Sequence, residues 1–205
     1  MSQSLVAQHF GGLFFSSDHA IWKKYVAHEK LAGNFFEDHE FSWVYTFGYQ
    51  GQFFQAKRFS FTYGLQYAYK QNVENYSGML FCATEIDINT ISPIIKKEEK
   101  WNLIELPIGA RYKILKPSKF QPYISVSFIP LYPLNYEVRQ IDTDGKIVKA
   151  NYQDESIIKR FDASAESGAG LNYKLNQYIF NLHTYIGYLF NLSEVGVGFS
   201  VMRKL

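Results

Sequence analysis

The chain has 205 residues and a net charge of +2, so it fits one domain and carries no electrostatic footprint for nucleic acid. Its single cysteine, Cys82, excludes an internal disulfide and a cysteine-rich zinc site, and no run of about 18 apolar residues is present to form a transmembrane helix. Aromatic residues nevertheless make up 18% of the chain, with 18 Phe and 16 Tyr, which suits a wall facing lipid better than a soluble core.

The opening Met1-Ser2-Gln3-Ser4 lacks the basic start and apolar stretch of a secretory signal. An exported protein of this sequence is therefore expected to be a mature form behind an added initiator methionine. The first strand-like segment, about residues 5–16, is apolar on both faces and has no assigned orientation. A long loop over 17–35 follows, with an amphipathic helical stretch from Ile21 to Leu31. Glu37-Asp38-His39-Glu40 reads as a solvated loop end; the sharper alternative is a divalent cation bridging lipopolysaccharide.

From residue 41 the pattern has period two, so successive side chains point to opposite sides of a strand. Phe41, Trp43, Tyr45, Phe47 and Tyr49 alternate with Ser42, Val44, Thr46, Gly48 and Gln50. Phe59, Phe61, Tyr63, Leu65, Tyr67 and Tyr69 alternate with Ser60, Thr62, Gly64, Gln66, Ala68 and Lys70. These aromatic faces form the expected lipid-facing belt. Each run approaches the nine to eleven or so residues that a tilted strand needs to cross a bilayer.

Five further segments continue the rhythm, around 104–114, 122–128, 161–174, 178–190 and 195–201. Together with the first they make eight strands. Connections near 51–57, 115–119 and 175–177 are short, and those near 17–35, 72–99 and 136–156 are long, the habit of a barrel with periplasmic turns and extracellular loops. Asp142-Thr143-Asp144-Gly145 lacks a calcium loop's remaining ligands and reads as the turn of a hairpin extending the fifth and sixth strands. Pro107, Pro122, Pro130 and Pro133 cannot donate to a ladder, so each predicts a bulge, a strand end or a kink. The predicted fold is an all-β, eight-stranded antiparallel up-and-down transmembrane barrel formed by residues 1–205, located in a bacterial outer membrane and in contact with its lipid.

Asn102-Leu103-Ile104-Glu105-Leu106-Pro107-Ile108-Gly109-Ala110-Arg111-Tyr112 resembles the "Y-L-E-I-P-L-L-x-K-Y" strand of the PorT-like small outer-membrane barrels of Bacteroidota. Phe120-Gln121-Pro122-Tyr123-Ile124-Ser125-Val126-Ser127 is similar to that family's "K-P-Y-x-G-x-G" strand, and Gly168-Ala169-Gly170-Leu171-Asn172-Tyr173 to its "G-A-G-x-x-Y" strand. Ser125 and Ser127 stand where glycines are usual, and the chain ends Met202-Arg203-Lys204-Leu205 in place of a terminal aromatic. The resemblance covers roughly residues 41–205. It implies an eight-stranded outer-membrane barrel, and among its relatives are components of a secretion machine.

The ionisable residues expected in the lumen are Lys70, Glu105, Arg111, Lys113, Arg160, Asp162, Glu166, Lys174 and His183. Both signs occur in similar amounts, and so narrow an interior calls for a paired, hydrogen-bonded filling. The alternative is a gated ion or proton path along Glu105, Arg111 and Glu166. No cofactor or metal is expected.

Three functions compete. The first is a non-enzymatic barrel, either a subunit of a secretion or motility assembly or a surface-binding barrel. The second is a lipid hydrolase using His183 with Ser164 and Asp162 or Glu166. The third is a soluble lipid-binding barrel, which would put the aromatic rings inside.

Overall fold

A computed structural model describes residues 8–22, 39–54, 58–75, 94–115, 118–142, 144–150, 162–189 and 192–205. Among them are ten strands: β1 (Gln8–Trp22), β2 (His39–Phe54), β3 (Phe59–Asn75), β4 (Ile94–Glu105), β5 (Ile108–Lys113), β6 (Phe120–Asp142), β7 (Ile147–Ala150), β8 (Asp162–Leu175), β9 (Tyr178–Leu189) and β10 (Leu192–Lys204). All pairings are antiparallel. β4 and β5 both lie between β3 and β6 and form one stave, while β7 and β8 follow one another along β6. Eight staves result, and the ring closes where β1 pairs with β10, for example Leu13 with Val201.

The register sets the geometry. From Arg111 the partners run through Ser125, Gly168, Tyr185, Gly196, Asp18, Val44 and Lys70 to Trp101. One circuit thus returns to the starting stave ten residues away, from 111 to 101. With about 3.3 Å per residue and about 4.8 Å between strands, eight staves of that stagger tilt by about 40°, the usual range for a closed barrel.

Alternation then divides the residues between two environments. Leu13, Phe15, Phe47, Ile108, Val126, Leu182 and Val197 stand exposed on the outside, while Ser16, Thr46, Gln52, Ser60, Gln121, Asn172, Asn181 and Ser200 are buried inside. The unassigned first strand is settled here: Phe10, Phe14, Ser16 and Asp18 face inward, Leu13 and Phe15 outward. A soluble barrel needs the reverse arrangement, so that expectation is corrected.

Glycines on the inner wall make room for rings on the neighbouring strands. A Cβ on Gly170 would stand 2.4 Å from the Tyr123 hydroxyl and 2.6 Å from the Leu182 carbonyl oxygen, whereas one on Gly187 would meet nothing closer than 3.6 Å. Gly170→Ala is therefore expected to cost about 1–3 kcal/mol through overpacking, with Gly187→Ala close to neutral. Urea unfolding of the two variants in detergent checks this.

Several boundaries differ from the sequence expectation. β1 runs on to Trp22, so Ile21 and Trp22 are strand; the remainder of the predicted helix lies outside the described residues. β3 continues to Asn75 and β4 begins at Ile94. These extensions carry polar residues on both faces, which hides them from a search for alternation, and their backbones are satisfied by pairing with one another. The predicted hairpin is present: β7 pairs with β6 from Ile141↔Ile147 to Val138↔Ala150, and Gly145 takes φ 73° in the turn. Asn176, at φ 53°, turns β8 into β9 within two residues.

The prolines act in different ways. Pro107 interrupts the β4–β5 stave, and a register shift opposite Asn102/Leu103 marks a bulge beside Pro133. Leu106 N–H donates to the Pro130 carbonyl at 3.0 Å and Gly64 N–H to the Pro107 carbonyl at 2.9 Å. The return bonds are missing because neither proline has an N–H. Pro122 and Pro130 keep their register against β8, so no bulge forms there, and Pro122 lies near the start of β6.

Candidate functional site

Two regions present chemistry: the lumen, and a sheet that rises above one side of the barrel. On β1, β9 and β10 the inner wall carries a buried apolar cluster of Phe10, Ile179 and Met202. Higher up, Trp101 packs against Tyr136 in a tilted ring pair at 3.8 Å between centroids, and the Tyr136 hydroxyl donates to Glu99 at 2.9 Å. Between them the side chains interlock. Asn181 donates to the Tyr123 hydroxyl and to Asn172, both at 2.7 Å, and Gln52 donates to Ser60 at 2.8 Å. His183 lies between Phe14 and Tyr185, at 5.7 and 5.3 Å. What remains is a cavity of ≈ 40 Å³ lined by Glu105, Arg111, Gln50, Ser125, Glu166 and His183 among others. A water needs roughly 10–15 Å³ of such space, so this cavity holds a few waters.

Lys70, Glu105, Arg111, Lys113 and His183 are placed inside and largely buried; Glu166, Lys174 and Asp162 lie on the same face, partly covered. Arg160 lies outside the described residues. Two members escaped the sequence reading. Glu194 makes an ion pair with Lys70 at 3.0 Å, and Asp18 accepts a hydrogen bond from Tyr185, whose hydroxyl also bonds Ser16 at 3.1 Å. Both were legible in principle, since Glu194 shares the parity of Gly196, Gly198 and Ser200, and Asp18 that of Ser16.

Lys70 pairs with Glu194, as a filled lumen requires, but the charges are unevenly distributed along the barrel axis. Glu105, Glu166, Asp18 and Glu194 occupy the extracellular half, with Lys70 among them; Arg111, Lys113 and Lys174 occupy the periplasmic half. Glu105 stands six positions above Arg111 on the same stave, roughly 20 Å of strand. Arg111 packs over the Tyr123 ring at 4.7 Å and makes no ion pair with Glu105 or Glu166.

The hydrolase arrangement does not form. His183 is opposite Gly170, six residues along β8 from Ser164, again roughly 20 Å. No carboxylate hydrogen-bonds its ring, and its Nδ1 is buried without a partner. Nucleophile, base and orienting acid are therefore out of reach of one another. Among the described residues no cluster of three or more His, Cys, Asp or Glu is arranged to hold a metal; Glu37 and Asp38 lie outside them.

On the outer wall Trp43, Tyr45, Phe47, Tyr49, Phe59 and Phe61 are exposed, with Tyr63, Tyr67 and Tyr69 half-buried by their neighbours. The side chain of Phe41 lies outside the described residues. Phe47 packs on Tyr67 at 5.3 Å and Phe59 on Tyr112 at 5.0 Å, cross-strand contacts that brace the wall.

The raised sheet comes from β3, β4, β6 and β7. β8 begins opposite Leu131, yet β6 continues from 131 to 142, roughly 36 Å of further strand. It is covered with charge: Lys96 pairs with Glu98 at 2.7 Å and Arg139 with Glu137 at 2.8 Å. The neighbouring Lys96 ammonium holds the Glu98 carboxyl below the usual carboxylate range.

Comparison with known proteins agrees with this architecture. Neisserial surface protein A (NspA) superposes with a TM-score of 0.50 at 9% identity, covering 97% of this chain and 99% of the other. OprG from Pseudomonas aeruginosa gives 0.47 at 9% identity, over 97% and 92%, and Ail of Yersinia pestis gives 0.45 at 8%, over 97% and 99%. A search of curated proteins finds no match. Residues 15–195 match the family "Outer membrane protein beta-barrel domain". The chain belongs to that family, and the bacterial outer membrane is its location.

Proposed function

We propose that this protein is a non-enzymatic barrel whose task is to anchor and present the raised sheet to a protein partner at the membrane surface. The observation carrying this reading is the asymmetry of the rim among the described residues: β9 and β10 meet at Leu189↔Leu192, while β6 continues, paired with β4 and β7, to Asp142. A plugged lumen and a His183 without catalytic company speak for scaffolding over transport or hydrolysis. The Glu105-Leu106-Pro107 strand, with its PorT-like character, makes a subunit of a Bacteroidota secretion or motility assembly the partner class that fits.

In this reading the outward rings meet hydrocarbon. Exposed Phe120 and Tyr132 mark the two rims on β6, and the twelve residues between them rise roughly 30 Å at the tilt above. That spans the apolar band of about 25 Å seen in such barrels.

The test uses a photo-crosslinking residue at Arg139 on the raised sheet and at Leu182 on the wall, in native membranes. Arg139 is expected to give one discrete protein adduct, and Leu182 only lipid. Absence of any protein adduct from Arg139, with a monomeric barrel on sizing, would remove the subunit reading. Planar-bilayer recordings are expected to show little or no conductance.

A further inference from the structure

The turn end of the barrel carries charge of one sign. Arg58, Lys119, Arg203 and Lys204 are exposed there, before β3, before β6 and at the end of β10. Lys113 and Lys174 stand behind them on the inner wall, and the connecting residues 55–57 and 116–117 add Lys57 and Lys116 to the sequence. Among the described residues no Asp or Glu lies in this half of the molecule. The opposite rim is mixed and self-paired, Lys96 with Glu98 and Arg139 with Glu137. None of the four exposed cations at the turn end has an ion-pair partner among the described residues.

Three of these cations stand beside rings of the outer wall. Arg58 precedes Phe59 and donates to the Tyr112 hydroxyl at 3.1 Å. Lys119 precedes Phe120, which packs on Tyr173 at 4.8 Å, and Arg203 is in register with Tyr178. Through the pairings β3–β5–β6–β8–β9–β10 the series runs over neighbouring staves around the ring. Phe59, Phe120 and Tyr178 are exposed and form the lower edge of the apolar jacket. A long cationic side chain at that edge lays its stem along the rings and puts its head among the lipid phosphates. Charge spread in this way around a circumference matches an annulus of headgroups, whereas a protein partner calls for a patch on one face.

We propose that this ring binds anionic glycerophospholipid of the periplasmic leaflet, with Arg58, Lys119 and Arg203 holding the phosphate groups. Arg58 suits the role best, since its guanidinium keeps N–H donors beyond the one given to Tyr112. The bound headgroups supply the negative charge that the protein itself lacks at this end, and they pin the wall at a fixed depth. The assignment rests on the outer-membrane placement with the short turns facing the periplasm, and is independent of whatever binds the raised sheet.

The full-length barrel in phosphatidylcholine vesicles, with a trace of spin-labelled lipid, provides the test. Labelled phosphatidylglycerol is expected to be held at the wall roughly fivefold more tightly than labelled phosphatidylcholine, the effect of one basic residue at an anionic surface. Combining Arg58→Gln, Lys119→Gln and Arg203→Gln should bring that ratio close to one, while Lys96→Gln with Lys146→Gln on the opposite rim leaves it unchanged. Should the triple variant fail to fold, the unaltered barrel decides the matter, because its preference is expected to vanish in concentrated sodium chloride. Equal retention of the two lipids, or a preference that survives the triple variant or high salt, would overturn the proposal. So would a protein adduct from a photo-crosslinker at Lys119 in native membranes where lipid adducts are expected.

Discussion

Arginine in place of Val126 is expected to destabilise the barrel by about 2–4 kcal/mol in a bilayer, the range for a cation on the lipid face at mid-depth. Val126 is 61% exposed and stands midway between Phe120 and Tyr132 on β6. Its neighbours in register, Ala110 and Ser167, offer the guanidinium no carboxylate on that face. The same change at Leu175, also exposed but beside the Asn176–Gln177 turn, is expected to cost only about 0–1 kcal/mol, because the longer side chain reaches the interface. Reversible unfolding from phospholipid vesicles measures both. Equal costs at the two positions would mean that no depth-dependent hydrocarbon band surrounds the wall, and the outward placement of the rings would need another explanation.

Replacing Lys70 with methionine is expected to have a comparable effect from within. Lys70 and Glu194 are 3.0 Å apart, with side chains only 14% and 11% exposed. Removing one partner of a buried pair leaves the other uncompensated, typically a loss of about 3–5 kcal/mol. Here the loss falls on a half of the lumen that also holds Glu105, Glu166 and Asp18. Lys70→Met with Glu194→Gln should recover most of it, since two neutral groups of similar shape can replace a buried pair at little cost. A double-mutant cycle by urea unfolding isolates the coupling. If the double variant is as weak as the single one, the lysine acts through packing and the electrostatic account fails.

The two expectations bear on the division of the molecule into an apolar jacket and a charge-separated interior. Rings outside and amides inside follow from strand parity, but the placement of charge along the axis depends on stagger. A register one step different would have set Arg111 against another row, and one flipped strand would have carried Asp18 into lipid. The heights of Asp18, Glu166 and Glu194 relative to Arg111 follow from the ten-residue shear, whereas Glu105 is separated from it along a single stave.

The amino-acid order by itself determined the class of fold. Period-two alternation, aromatic identity and strand length are local properties, and they sufficed to put Trp43, Phe47, Phe61 and Val197 on one side and Glu105, Arg111 and His183 on the other. Turn chemistry at Gly145 and Asn176 was equally local, as was the weakness of the ladder at Pro107. Only the tertiary structure decided the rest. It joined Glu194 to Lys70 and Asp18 to Tyr185 across the lumen, separated Ser164 from His183, and packed Arg111 on Tyr123 with no ion pair to Glu105 or Glu166. Each of these rests on which residues of different strands stand at the same height, and height around a closed ring is fixed by shear and strand tilt, quantities to which no short stretch of sequence refers.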